Sequence, residues 1–128
     1  MQALIRDPKF FFTQRGGLHD ARIRQIGWSA PSRTISIEIA DLNANALGLP
    51  EYMGAEPGTL IFHDAENLLL GCDAFVNDVQ RVYDLEIEER EGGRYRCVLL
   101  ISPGGRLAFG FSSVTLVEDP STAAKAEG

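Results

Sequence analysis

Val82-Tyr83-Asp84-Leu85-Glu86-Ile87-Glu88-Glu89, then Gly92-Gly93, then Arg94-Tyr95-Arg96-Cys97-Val98-Leu99-Leu100-Ile101 is the stretch that decides the fold. Apolar and polar residues alternate through both runs, and a period of two is the mark of a strand with one face buried. In the first run Tyr83, Leu85 and Ile87 are expected inward, with Asp84, Glu86 and Glu88 outward. In the second, Tyr95, Cys97, Leu99 and Ile101 take the core side. A glycine pair between two such runs predicts a tight hairpin turn. Arg94 and Arg96 then lie across from the acids of the preceding strand, where opposite charges help fix the register by roughly 0.2–1 kcal/mol per pair.

The same pattern extends in both directions. Pro103-Gly104-Gly105 predicts the next turn, and Arg106 to Val117 a long strand with a bend at Gly110. Upstream, Ala21 to Trp28 and Thr34 to Asp41 flank a turn at Ser29-Ala30-Pro31-Ser32, with Ile35, Ile37 and Ile39 on one face. Thr59 to His63 reads as a strand, and Ala65 to Leu70 continues it after a bulge. Cys72 to Val79 has the spacing of a short helix or an irregular turn. Phe10-Phe11-Phe12 before Gly16-Gly17 suggests an apolar anchor followed by a turn. The expected fold is mainly β: six to seven mostly antiparallel strands in a sandwich or partly open barrel, with at most one or two short helices. Residues 1–118 are expected to form one β-rich domain and 119–128 a frayed tail.

The chain has 128 residues, enough for a core without staples, and its 45% hydrophobic content is ordinary for a folded protein. Apolar runs stop at Phe10–Phe12, Leu68–Leu70 and Val98–Ile101, far short of the roughly 18 residues of a membrane span. Arg6, Asp7 and Lys9 occupy the place of a signal peptide's apolar stretch, so a cytoplasmic location is expected. Cys97 reads as a small buried hydrophobe and Cys72 lies near a turn. Neither has the spacing of a zinc site, and a reducing cytosol disfavours a disulfide between them. No cofactor is expected.

The net charge of −6 is unevenly spread. Residues 41–91 carry Arg81 and Arg90 against twelve acids, whereas residues 1–40 carry six basic and three acidic side chains. Such a field argues against nucleic acid, whose phosphates demand cations. It favours a basic protein surface as partner, and Asp84, Glu86 and Glu88 are the candidate contacts. A solvated acidic face is the alternative. Residues 42–58 are too long for an ordinary connection, and they carry Leu47, Leu49, Tyr52 and Met53. These apolar groups either cover one end of the sheet or anchor a partner.

Both histidines stand in the tripeptide His-Asp-Ala, at His19-Asp20-Ala21 and His63-Asp64-Ala65. As chemistry, His19, Asp20, His63 and Asp64 could ligate one transition metal in a small hydrolase. As structure, the aspartate sets the entry turn of a strand, His19 donates to a carbonyl or stacks on a ring such as Trp28, and His63 lies half-exposed. The structural reading is preferred. Ser112-Ser113 has no paired base nearby in sequence, and the glycine pairs read as turns rather than phosphate loops.

Leu18-His19-Asp20-Ala21-Arg22-Ile23, Leu60-Ile61-Phe62-His63-Asp64-Ala65 and Leu107-Ala108-Phe109-Gly110-Phe111-Ser112-Ser113-Val114 follow in an order that resembles small uncharacterised bacterial β-rich proteins opening on a His-Asp-Ala strand start. Some of those resemble immunity proteins of toxin systems. Asp20 would be the shared mark, and the resemblance carries over no functional residue. It implies an immunity-like role, which the acidic segment would suit if the partner is a basic toxic nuclease. The chain is expected to be a non-enzymatic binding module, as a monomer or homodimer, or else a structural subunit or homo-oligomer that pairs exposed edge strands.

Overall fold

The computed structural model describes residues 2–72 and 80–118. Within them the chain is mainly β, with nine antiparallel strands in one sheet that does not close. In chain order these are β1 (Gln2–Ile5), β2 (Arg22–Ser29), β3 (Thr34–Ile39), β4 (Gly58–His63), β5 (Glu66–Cys72), β6 (Gln80–Arg90), β7 (Arg94–Ser102), β8 (Gly105–Phe111) and β9 (Ser113–Glu118). Their order across the sheet is β1-β9-β4-β3-β2-β6-β7-β8-β5. One α-helix, α1 (Pro8–Gln14), stands between β1 and β2. Of the expected helix near 72–80, Cys72 and Gln80 belong to β5 and β6, and residues 73–79, like the tail at 119–128, lie outside the described residues.

The strand count exceeds the expected six or seven for two reasons. First, β1 is too short to show alternation, yet its register against Val114–Val117 makes it the edge of the sheet. Second, the run expected as one strand from Arg106 to Val117 is two, broken at Ser112 rather than at Gly110. Opposite that break, β4 also ends and β5 begins. Asp64 adopts a left-handed φ of 55° between them, and the Ser112 amide donates to the His63 carbonyl at 3.0 Å. Two long strands therefore bend together at one corner, and the sheet turns back on itself.

That fold-over encloses the core. Phe62 on β4 meets Phe109 and Phe111 of β8 edge-on, each at 4.9 Å between centroids. Phe12 of α1 stacks on Phe62 from another side at 6.3 Å. Isoleucines 35, 37 and 39, Leu60, Leu99 and Leu107 complete a cluster that contains no buried polar side chain among the described residues. The helix begins where Asp7 accepts the Phe10 amide at 3.0 Å and Pro8 pre-sets the first turn. Phe12 is buried as anticipated, while Phe10 is exposed.

The β6–β7 hairpin matches the sequence reading with two corrections. A bulge between Val82 and Asp84 puts two residues opposite one on β7. Val82 and Leu85 both face the core in consequence, and Tyr83, expected inward, is exposed. Glu88 does stand opposite Arg96, but Arg94 stands opposite Arg90. Arg94 reaches instead across to β5, with its Nε 3.1 Å from Glu66 Oε1. Phe62 is the hub of the ring cluster, so Phe62→Ala should lower unfolding free energy by about 3–5 kcal/mol in urea denaturation. Phe10→Ala should cost far less by the same measurement.

Candidate functional site

The connection from 42 to 58 is not a free linker, and Asp41 is what ties it. Its Oδ1 accepts the amides of Asn43 at 2.9 Å and Glu56 at 3.0 Å, and its Oδ2 accepts the Tyr52 hydroxyl at 2.6 Å. The Asn43 side chain donates to the Gly54 carbonyl at 2.9 Å, and the Leu42 amide to the Glu56 carbonyl at 2.8 Å. Leu42 is buried beneath the loop. Gly48 and Gly54, with φ of 86° and 95°, supply left-handed turns that other residues resist. The hydrogen bond to Asp41, reinforced by burial and by the charge of that carboxylate, holds the Tyr52 phenol above its ordinary range.

Of the four apolar residues expected to contact a partner, Tyr52 is half-buried and spends its hydroxyl inside the loop. Leu47, Leu49 and Met53 project outward, and Met53 is 86% exposed. The acidic candidates lie on β6. Glu86 and Glu88 are exposed and Asp84 is half-buried. Glu88 pairs with Arg90 at 2.7 Å, whereas among the described residues no cation pairs with Asp84 or Glu86. These acids flank an open groove of about 680 Å³ against α1, with Lys9 and Thr13 on its far side. A second groove of about 330 Å³ runs between Gln14, Arg15 and the loop residues Asn43, Glu51 and Met53.

Gly16 and Gly17 line the first groove, and Asn45, which lines the second, packs against Gly16. Each glycine has a left-handed φ, and each leaves no room for a side chain: a Cβ on Gly16 would collide with Asn45, and one on Gly17 with Asp84. The tight turn after α1 thus brings the loop and the acidic strand, distant in sequence, against one piece of backbone.

The two histidines are separated by their partners. The His19 Nδ1 donates to the Tyr83 carbonyl at 2.7 Å, and its ring meets Tyr83 edge-on at 5.8 Å, not Trp28. The His63 Nε2 lies 3.0 Å from Thr115 Oγ1, which also accepts from Gln2. Asp20 lies 3.6 Å from the His19 ring, and Asp64 accepts the Ser112 hydroxyl. Among the described residues no three His, Cys, Asp or Glu side chains are grouped to hold a metal ion. His19, Asp20, His63 and Asp64 therefore do not form one cluster.

What the two tripeptides share is conformation. Asp20 and Asp64 both take left-handed φ, 68° and 55°, and each is followed two residues later by the start of a strand. Aspartate is among the few non-glycine residues that tolerate this region. The repeated motif is a strand-entry turn, set by backbone conformation rather than by the carboxylate capping of amides expected from the sequence.

No family model matches the chain, and no curated protein matches it. A crystal structure of an uncharacterized protein from Neisseria gonorrhoeae is similar in fold, with a TM-score of 0.50 and 10% identity over 91% of this chain and 96% of that one. At that identity the likeness concerns the fold alone.

Sequence reasoning passed over Asp41 and the Asp64–Ser112 bond. An aspartate and an asparagine closing a strand, as at Asp41 and Asn43, were the available signal for the first. The second had none, because 48 residues separate the partners. The hydrogen bond from Ser112, helped by the nearby charges of Arg33, Arg94 and His63, holds the Asp64 carboxyl below its ordinary range against the opposing effect of burial. A carboxyl lowered in the folded state stabilises above its ordinary range, and that contribution is lost as pH falls through the lowered value. In Ser112→Ala, a carbon-detected NMR titration should find Asp64 titrating closer to its ordinary range. The stability difference between variant and parent should shrink as the medium becomes acid.

Proposed function

We propose that this chain is a non-enzymatic, immunity-like protein-binding module whose partner is a basic protein. Contact is made through the acidic edge of β6 and the outward residues of the 42–58 loop. The observation that carries the reading is the turn at Gly16-Gly17, which packs against Asp84 of the acidic strand and against Asn45 of the tied loop that carries the exposed Leu47, Leu49 and Met53. Rigid presentation lowers the ordering cost of binding. Apolar side chains of this size supply the anchoring contact, and the acids steer a cationic surface into place. Tyr52 serves as an internal clamp rather than as a contact. An immunity-like role would be exercised in the cytoplasm, against a partner whose own charge is positive.

A lysine- and arginine-rich synthetic peptide with interspersed leucines tests this in NMR titration. Amides of residues 84–89 and 44–53 should shift, and affinity should fall steeply as salt is added. Glu86→Lys/Glu88→Lys should weaken binding by roughly tenfold, from about 1.4 kcal/mol of lost charge attraction. Shifts scattered over all the acids, or binding indifferent to the double substitution, would reject the reading.

A further inference from the structure

We infer that the basic partner docks as an extended strand, added to the outer backbone edge of β6 at Ile87 and Glu89. The inference rests on the acidic-surface reading above and specifies the form of the segment bound there.

β6 has a strand on both sides only at its start. It pairs with β7 from Arg81 to Arg90, but with β2 only at Gln80 and Arg81. Val82 extends the second ladder by one residue. Its amide donates to the Ala21 carbonyl at 2.8 Å, and its carbonyl accepts the Asp20 amide at 2.9 Å. Successive residues of a strand point their backbone groups to alternate sides. The bulge after Val82 shifts that alternation by one, so Leu85, Ile87 and Glu89 present N–H and C=O on the side where Val82 bonds. The glycine turn fixes the phase: a Cβ on Gly17 would lie 3.2 Å from the Leu85 nitrogen and 3.1 Å from its oxygen. That turn covers Leu85. Beyond it, no hydrogen bond among the described residues reaches the outward groups of Ile87 or Glu89. Pairing with β7 is regular from Asp84 to Arg90, so no bulge interrupts this edge.

The edge opens into the groove beside α1. Phe12 and Ile87, both buried, line it on the core side of the strand, and Glu86 and Glu88 occupy the opposite face. Among the residues lining the groove, Lys9 is the one cation against Asp84, Glu86, Glu88 and Glu89.

Charge selects the occupant. An added antiparallel strand sets one residue opposite Ile87 and its two neighbours opposite Glu86 and Glu88. An apolar residue flanked by two cations matches all three positions, and opposite charges directly across a ladder are favourable. Glu88 already pairs with Arg90, but that contact is exposed and yields to a partner's lysine at small cost. A second copy of this chain does not match. Centring a twofold axis on Glu86, Ile87 or Glu88 sets glutamate against glutamate, which is destabilising. The partner segment is therefore extended, with cations at every second position and apolar residues between them. Main-chain hydrogen bonds hold it, and the alternation of its side chains specifies it.

Two peptides of identical composition test this in NMR titration of the full chain at low salt. One is Lys-Val-Lys-Leu-Lys-Val-Lys, with a period of two; the other is its permutation Lys-Lys-Val-Leu-Lys-Lys-Val. The alternating peptide should bind at least about tenfold more tightly. It should slow hydrogen exchange at the Ile87 and Glu89 amides and leave those of Glu86 and Glu88, already turned to β7, unchanged. N-methylation of its valines and leucine removes the N–H groups that face β6, and should weaken binding at least about tenfold. N-methylation of its two central lysines, whose N–H groups face away, should weaken it less than about threefold. Equal binding of the two peptides, equal sensitivity to the two methylation patterns, or unaltered exchange at Ile87 and Glu89 overturns strand addition and leaves a basic partner bound in another form. Absence of binding by both peptides overturns it together with the reading on which it rests.

Discussion

The corner at which β4 passes into β5 and β8 into β9 is the constraint on which the rest of the structure depends. Asp64 turns left-handed there, Ser112 breaks the opposite strand, and the Ser112 amide and hydroxyl bond to His63 and Asp64 across the bend. Without the bend, β4 and β8 would lie in different halves of a flat sheet, with four strands between them in the sheet order. With it, Phe62 reaches Phe109 and Phe111, and the apolar faces of both halves have something to bury against. A sheet with one apolar face must find such a partner, and here it finds itself.

The fold-over leaves openings, and the openings are where the chain presents unusual surface. On one side α1 and the Gly16-Gly17 turn plug the gap between β6 and the loop after β3. Acids and apolar side chains gather around that plug. On the other side β2 parts from β6 after Ile23, and β5 ends the sheet with a row of leucines. Both surfaces are consequences of incomplete closure. A barrel with every edge paired would have neither the β2–β5 groove nor an edge on β5 that is unpaired among the described residues.

How far the sequence could be read depended on whether the deciding interaction was local. Ile35, Ile37 and Ile39, or Cys97, Leu99 and Ile101, follow a strict period of two on unbroken strands, and burial follows the pattern. Tyr83 departs from it because a single extra residue at the bulge reverses the faces, and nothing in Val82-Tyr83-Asp84 announces a bulge. β1 escaped notice because its reason for being a strand lies at Val114–Val117, at the other end of the chain. The His-Asp-Ala repeat was legible as a coincidence worth explaining. Its explanation, a shared left-handed aspartate before a strand, is a backbone property that side-chain chemistry does not reveal.

By itself the sequence determined which residues are apolar, in what period, and where charge accumulates along the chain. Those are local properties, and they suffice for a mainly β protein with an acidic strand at β6. Only the tertiary structure decided which distant residues share a place: Asp84 with Asn45 at the glycine turn, Arg94 with Glu66, and Trp28 with Leu68 across the groove. The physical reason is that alternation specifies which face a residue occupies, while bends, bulges and strand order specify what that face meets. These features are settled by packing the whole chain at once.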